Sequence, residues 1–166
     1  MKKLFAFFVP VLLILAGCNN SNNETGIEKF KAKETTTDTD PNLAVVVLNG
    51  DDNMTFDLKE IRVKEGQVVK LTLNHTGKAP LMAMGHNFVL LAQGTSFSEF
   101  SMAAMSAKDN DYIPKDMAAS VIAYTKTIGG GESDSIEFPA PPKGEYDFLC
   151  SFPGHSGMMK GKFIVE

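Results

Sequence analysis

The 166 residues contain no tryptophan and only two cysteines, Cys18 and Cys150. Two thiols allow one disulfide at most, so this is not a disulfide-stapled scaffold, and an iron–sulfur cluster would need more thiolates. Basic charge is also scarce. Sixteen Lys and Arg stand against twenty Asp and Glu, a formal net charge of −4. Without a basic excess to neutralise phosphates, nucleic acid is not an expected partner. Long apolar runs are missing as well. Residues 4–15 form an apolar run interrupted by Pro10, shorter than the roughly 20 residues that span a bilayer comfortably. A polytopic membrane protein is thereby excluded. With 43 % hydrophobic residues, 14 Gly and 8 Pro, the composition fits one globular domain with something appended. It excludes a coiled coil, a collagen-like chain and a wholly disordered chain.

The appended part is an address. Lys2 and Lys3 precede the apolar run, which ends in Leu15-Ala16-Gly17-Cys18. Residues 1–17 have the build of a secretory signal peptide, and the ending resembles the lipobox of bacterial lipoproteins, in which Cys18 would take the lipid. The mature chain would then be a periplasmic or cell-surface protein anchored to a membrane. Without residues 1–17 the count is 14 basic against 20 acidic residues, so the lipid, not charge, would hold it there. Residues 18–41 read as a linker. Their Asn, Thr and charged side chains leave Ile27 and Phe30 as the only large apolar groups, too few to offset the entropy of ordering. As a coil such a tether would span roughly 25 Å.

From about residue 42 the texture changes to that of a domain, 42–166. Residues 43–48 (LAVVVL) are strand-like, Asn49-Gly50-Asp51-Asp52 is turn chemistry, and residues 54–58 alternate with period two. Val69, Leu71 and Leu73 alternate with Lys70, Thr72 and Asn74, which predicts a half-buried antiparallel strand. Further strands are expected at 87–91, 120–125, 133–138, 145–150 and 160–165, with Gly and Pro turns between them. The pattern predicts an all-β fold, a sandwich or barrel. One segment breaks the rhythm. Ser96-Phe97-Ser98-Glu99 matches a capping box, predicting a short helix over 97–107.

The chemistry concentrates in Cys150-Ser-Phe-Pro-Gly-His155-Ser-Gly-Met158-Met159, with a second imidazole upstream in Met84-Gly85-His86-Asn87. Two imidazoles, one thiolate and a weak thioether form the donor set of a blue-copper electron-transfer site. Such a set lies between the preferences of Cu(I) and Cu(II), so little must move when the oxidation state changes. Four protein donors leave no evident open position for a substrate, unlike a catalytic metal site, and no enzyme is expected. Pro153 and Gly154 turn the chain, bringing His155 back towards the thiolate.

The spacing C-x4-H-x3-M after a distant G-H-N resembles the azurin branch of the cupredoxins. The likeness covers roughly residues 45–166, including MAMGHNFVL, VIAYTKTIGGGESDSIEF and CSFPGHSGMMKGKFIVE. It implies a Greek-key β-sandwich of about eight strands with a helical flap, and one type 1 copper ion. It also implies equatorial ligands His86, Cys150 and His155, Met159 as a long axial ligand, and the Gly85 carbonyl facing it. Asn87 would tie the His86 segment to the Cys150 loop. His155 would show a ring edge to solvent in a docking patch with Met54, Met84, Pro153 and Met158. Redox partners implied are c-type cytochromes, a terminal oxidase or a copper reductase. Two departures stand out: Gly66 occupies a position where azurins carry a disulfide cysteine, and Phe88 replaces the Trp that usually follows G-H-N.

Two other readings stand beside this one. Copper storage or delivery to another protein would use the same donors in a more exchangeable site. A third reading makes the sandwich a binding module that needs no copper. His75 is read as a buried structural histidine. Gly129-Gly130-Gly131 lacks the frame of a phosphate loop and is read as a turn.

Overall fold

The structure, a computed structural model, describes residues 40–166. The expected signal segment 1–17, Cys18 and most of the linker 18–41 lie outside the described residues. In chain order the elements are β1 (Leu43–Gly50), β2 (Glu60–Val63), β3 (Val68–His75), the single turn α1 (Leu81–Met84), β4 (Val89–Leu91), α2 (Phe97–Ala104), β5 (Val121–Tyr124), β6 (Ser133–Pro139), β7 (Gly144–Leu149) and β8 (Lys160–Val165). Two short 3₁₀ helices, Lys108–Asn110 and Lys115–Ser120, lie between α2 and β5. Three strands form one sheet in the order β1-β3-β6, and five form the other in the order β2-β8-β7-β4-β5. Strands adjacent in sequence are neighbours only at β4-β5 and β7-β8, so most connections cross between sheets, as in a Greek-key sandwich. The expected all-β architecture with a helical flap is what forms.

Alternation explains the core. Ala44, Val46 and Leu48 of β1 pair in register with Val69, Leu71 and Leu73 of β3, and all six are buried. The opposite face of β3 carries Lys70, Thr72 and Asn74, whereas that of β1 carries Val45 and Val47. Burying such a side chain contributes about 1.5–3 kcal/mol. Phe56, Phe88, Phe148 and Phe163 are buried between the sheets. Phe88 tilts against Phe148 at 5.5 Å, so an aromatic ring still fills the place expected of a Trp. Gly66 takes the turn between β2 and β3 with φ +83, and open space surrounds it. Cys150 is a free thiol.

Three local expectations are corrected. Residues 54–58 do not form a strand; only Phe56 makes an isolated bridge, to Gly50. The Asp51 carboxylate accepts the N–H groups of Asn53 and Thr55, and Met54 has φ +56, which coils this segment into a turn. Strand β3 is antiparallel to β6 but parallel to β1. Helix α2 stops at Ala104 instead of 107. Its start is as the capping box suggests, with Ser96 accepting the Glu99 N–H at 3.4 Å.

Candidate metal centre

One end of the sandwich gathers the ends of four segments. β1 ends at Gly50 and β3 at His75, paired in register. Gly85-His86-Asn87 leads into β4, and Cys150 follows the last residue of β7. Hydrogen bonds fix the loop from Cys150 to Met159. The Cys150 N–H donates to the Met159 carbonyl at 2.9 Å, the His155 N–H to Phe152 at 3.0 Å, and the Met159 N–H to His155 at 2.8 Å. The His86 segment is fixed by reciprocal bonds with Ile128 at 3.0 and 2.8 Å.

The loop and the His86 segment meet. Donor atoms of His86, Cys150 and His155 all lie within 4.8 Å of one another. Cys150 Sγ is 3.7 Å from His155 Nδ1 and 3.9 Å from the Gly85 carbonyl oxygen. His86, Cys150 and Met159 are fully buried, and His155 retains 3 % exposure. Of the residues expected in the docking patch, Pro153 is exposed, Met54 and Met84 are half-buried, and Met158 is 56 % exposed.

Protonation follows from the hydrogen bonds. His86 Nε2 lies 2.9 Å from the Asp51 carbonyl and Nδ1 lies 2.9 Å from the Gly85 carbonyl. A carbonyl can only accept, and a neutral imidazole carries one N–H. Burial, the largest cause, holds the His86 pKa below the ordinary imidazole value, so the ring is neutral near pH 7. With the proton on Nε2 donated to Asp51, Nδ1 presents a lone pair towards Gly85 and Cys150. A buried lone pair facing a carbonyl oxygen is unsatisfied unless a cation comes between them. His155 is also neutral. Burial, then repulsion from the neighbouring imidazoles of His86 and His75, lowers its pKa to about 4. Burial raises the Cys150 thiol to about 12, opposed by N–H groups of Asn87 and Phe152. Metal uptake would therefore displace a proton from Cys150. Two neutral imidazoles, a thiol and a buried thioether fit a soft or borderline cation such as copper.

Asn87 ties the two segments together. Its Oδ1 accepts the Ser151 N–H at 2.8 Å, and its Nδ2 donates to Ser151 Oγ at 2.9 Å and to the Asp111 carbonyl at 2.8 Å. His75 is buried and satisfied: the Gly77 N–H donates to Nδ1 at 3.1 Å, so Nε2–H donates to the Met84 carbonyl at 2.8 Å. Its ring stacks on His86 at 4.1 Å and 12°, a contact that its sequence context does not signal.

Several contributors escaped the sequence reading. Asp51 enters through its carbonyl, which any residue could supply. Phe152 lies 4.7 Å from the His155 ring, and a Cβ on Gly85 would meet the Phe152 ring and Thr127 at 2.8 Å. The glycine run was read as a turn, and Gly131 does take φ +80 there. Its neighbours do something else: added Cβ atoms at Gly129 and Gly130 would strike the backbone of Leu81 and Lys78 at 2.8 and 2.5 Å. They admit the segment that leads to Met84 and His86.

Comparison with known proteins agrees with this geometry. The profile of the copper binding proteins of the plastocyanin/azurin family matches residues 43–166. Azurin-1 of Alcaligenes xylosoxydans xylosoxydans is 42 % identical over 120 residues, 70 % of this chain and 92 % of that protein. Outer membrane protein H.8 of Neisseria meningitidis serogroup B is 40 % identical over 122 residues, 71 % of this chain and 65 % of that protein. Among solved structures, the azurin Az-iso2 of Methylomonas sp. strain J superposes with a TM-score of 0.66 at 30 % identity, covering 74 % of this chain and 97 % of that one. The auracyanin of Roseiflexus castenholzii gives 0.65 at 33 % identity, covering 74 % and 96 %. By sequence, fold and donor set together, the chain belongs to the plastocyanin/azurin family of copper binding proteins, a family of copper-binding electron carriers.

Proposed function

We propose that this chain carries single electrons between redox proteins outside the cytoplasm and is not itself an enzyme. The observation that carries this is the convergence of His86, Cys150 and His155 donor atoms within 4.8 Å, in a pocket where every donor is buried. Copper bound there supplies the one-electron Cu(I)/Cu(II) couple. Cys150, His86 and His155 would hold the ion, with the Met159 thioether and the Gly85 carbonyl as weaker donors. The chain's task is to keep those donors still. The bonds of Asn87 to Ser151, of His86 to Asp51 and of the loop to itself oppose rearrangement, which keeps the cost of changing oxidation state low.

Electrons would pass through His155, at a rim that includes Met54, Met84, Pro153 and Met158. A c-type cytochrome, a terminal oxidase or a copper reductase would dock there. Residues 42–166 are the working domain on this reading. Cys18 would carry a lipid and residues 18–41 would tether the domain to a membrane. A relative named as an outer membrane protein supports a location outside the cytoplasm. The test is rapid mixing of the Cu(II)-loaded chain with a reduced c-type cytochrome. Second-order bleaching matched by cytochrome oxidation is expected; no exchange with any small cytochrome or inorganic reductant would refute the carrier reading. Storage or delivery predicts instead that a Cu(I) chelator strips the folded chain rapidly, against which the burial of all four side chains argues.

A further inference from the structure

We infer that Gly50 is a positioning residue of the copper site, holding open the space that the His86 ring and the Met159 side chain share. The inference rests on the reading of His86 and Met159 as copper ligands. Gly50 is the fourth inward-facing position of β1, after Ala44, Val46 and Leu48, where the pattern calls for another apolar side chain. It pairs with His75, whose ring stacks on His86. A Cβ on Gly50 would lie 2.8 Å from His86 Cδ2 and 3.2 Å from Met159 Cε. The missing side chain is therefore replaced in the core by two side chains of the metal site.

The backbone does not demand glycine here. Among the described residues the positive-φ glycines are Gly66, Gly94, Gly131, Gly144 and Gly154, and Gly50 is not one of them. An alanine could adopt the local conformation, and its consequences would come from contact alone. The two neighbours would yield differently. The Met159 methyl is the far end of a pliable side chain. The His86 ring is confined, by His75 on one face and by the Asp51 carbonyl at Nε2. Alanine would force the ring to tilt and strain the bond that fixes which nitrogen faces the metal.

Gly50→Ala in the full chain tests this, with Val47→Ala as the control. Val47 lies on the outward face of the same strand and is 49 % exposed. Gly50→Ala should remain folded, change the ratio of the thiolate-to-Cu(II) charge-transfer bands, and lose copper to a chelator about 10–100-fold more readily. Val47→Ala should match wild type in both. A folded Gly50→Ala chain with wild-type spectrum and copper retention, or one that only melts earlier, would overturn the inference. If the variant does not fold, the wild-type chain decides. In its copper-free and Cu(I) forms, nuclear Overhauser contacts from the Gly50 Hα protons to His86 Hδ2 and the Met159 methyl are expected, and their absence would refute the inference. A wild-type chain without an intense charge-transfer band defeats the copper reading itself, a result distinct from these.

Discussion

Strands β1 and β3 have two ends with the same alternation and the same burial but different chemistry. Towards the start, Ala44, Val46, Val69 and Leu71 face inward and join the hydrophobic core. At the far end the same inward row reads Gly50 and His75. Burial is its own explanation at the first end. At the second, each buried polar atom must find a partner, and the accounting does not close. His75 is satisfied at both ring nitrogens, but His86 keeps one nitrogen facing a carbonyl oxygen, beside a buried thiol. That deficit is the signature of a ligand, and it distinguishes a metal site from a merely polar core.

Substitutions can separate the two ends. The largest effect on stability belongs to the hydrocarbon end. Leu71→Ala, at a fully buried position, should cost about 2–5 kcal/mol in chemical denaturation while the folded fraction keeps its copper spectrum. A spectrum altered in step with stability would mean that the two ends are not independent. Next comes Asn87→Ala, which leaves the Ser151 N–H unpaired in a buried place. It should cost about 1–3 kcal/mol and, unlike the core variant, shift the reduction potential measured by protein-film voltammetry.

The pH dependence should also divide them. His86 and His155 are held below the ordinary imidazole pKa, His155 at about 4, mainly by burial. From about pH 6.5 downwards the unfolded chain binds protons there that the folded copper-free chain does not. Melting temperature of the copper-free chain should therefore fall as pH is lowered from about 6.5 towards 4. Leu71→Ala should keep that slope, and His155→Ala should flatten it. The smallest effect lies on the flap. Ser96→Ala removes a long cap bond of 3.4 Å and should cost about 0.5 kcal/mol, with the copper spectrum unchanged.

How far the sequence could be read follows the same division. The strand at 69–74 is legible because Val69, Leu71 and Leu73 face the core while Lys70, Thr72 and Asn74 face outward, and 43–48 because its residues are β-branched and apolar. The 54–58 segment alternates too, yet a left-handed Met54 and the Asp51 carboxylate turn it, a local contest that periodicity cannot register. The donor cluster of His86, Cys150 and His155 is legible because Cys150 and His155 share one loop with fixed spacing, and His86 through its Gly and Asn neighbours. The Asp51 carbonyl left no trace, since backbone atoms have no residue preference. Gly50 was read as turn chemistry, because a glycine kept for a neighbour's volume looks like one kept for φ. His75 was read as buried, as it is; its stacking on His86 depends on a pairing between β1 and β3 that no local motif encodes.

The central claim is that one copper ion is held by His86, Cys150 and His155. Its most direct test is the visible absorption spectrum of the Cu(II)-loaded full chain beside that of Cys150→Ser. An intense visible thiolate-to-copper charge-transfer band, present in the wild-type chain and lost in the variant, is the predicted result. A colourless wild-type complex, or a band that survives replacement of the sulfur, would contradict it.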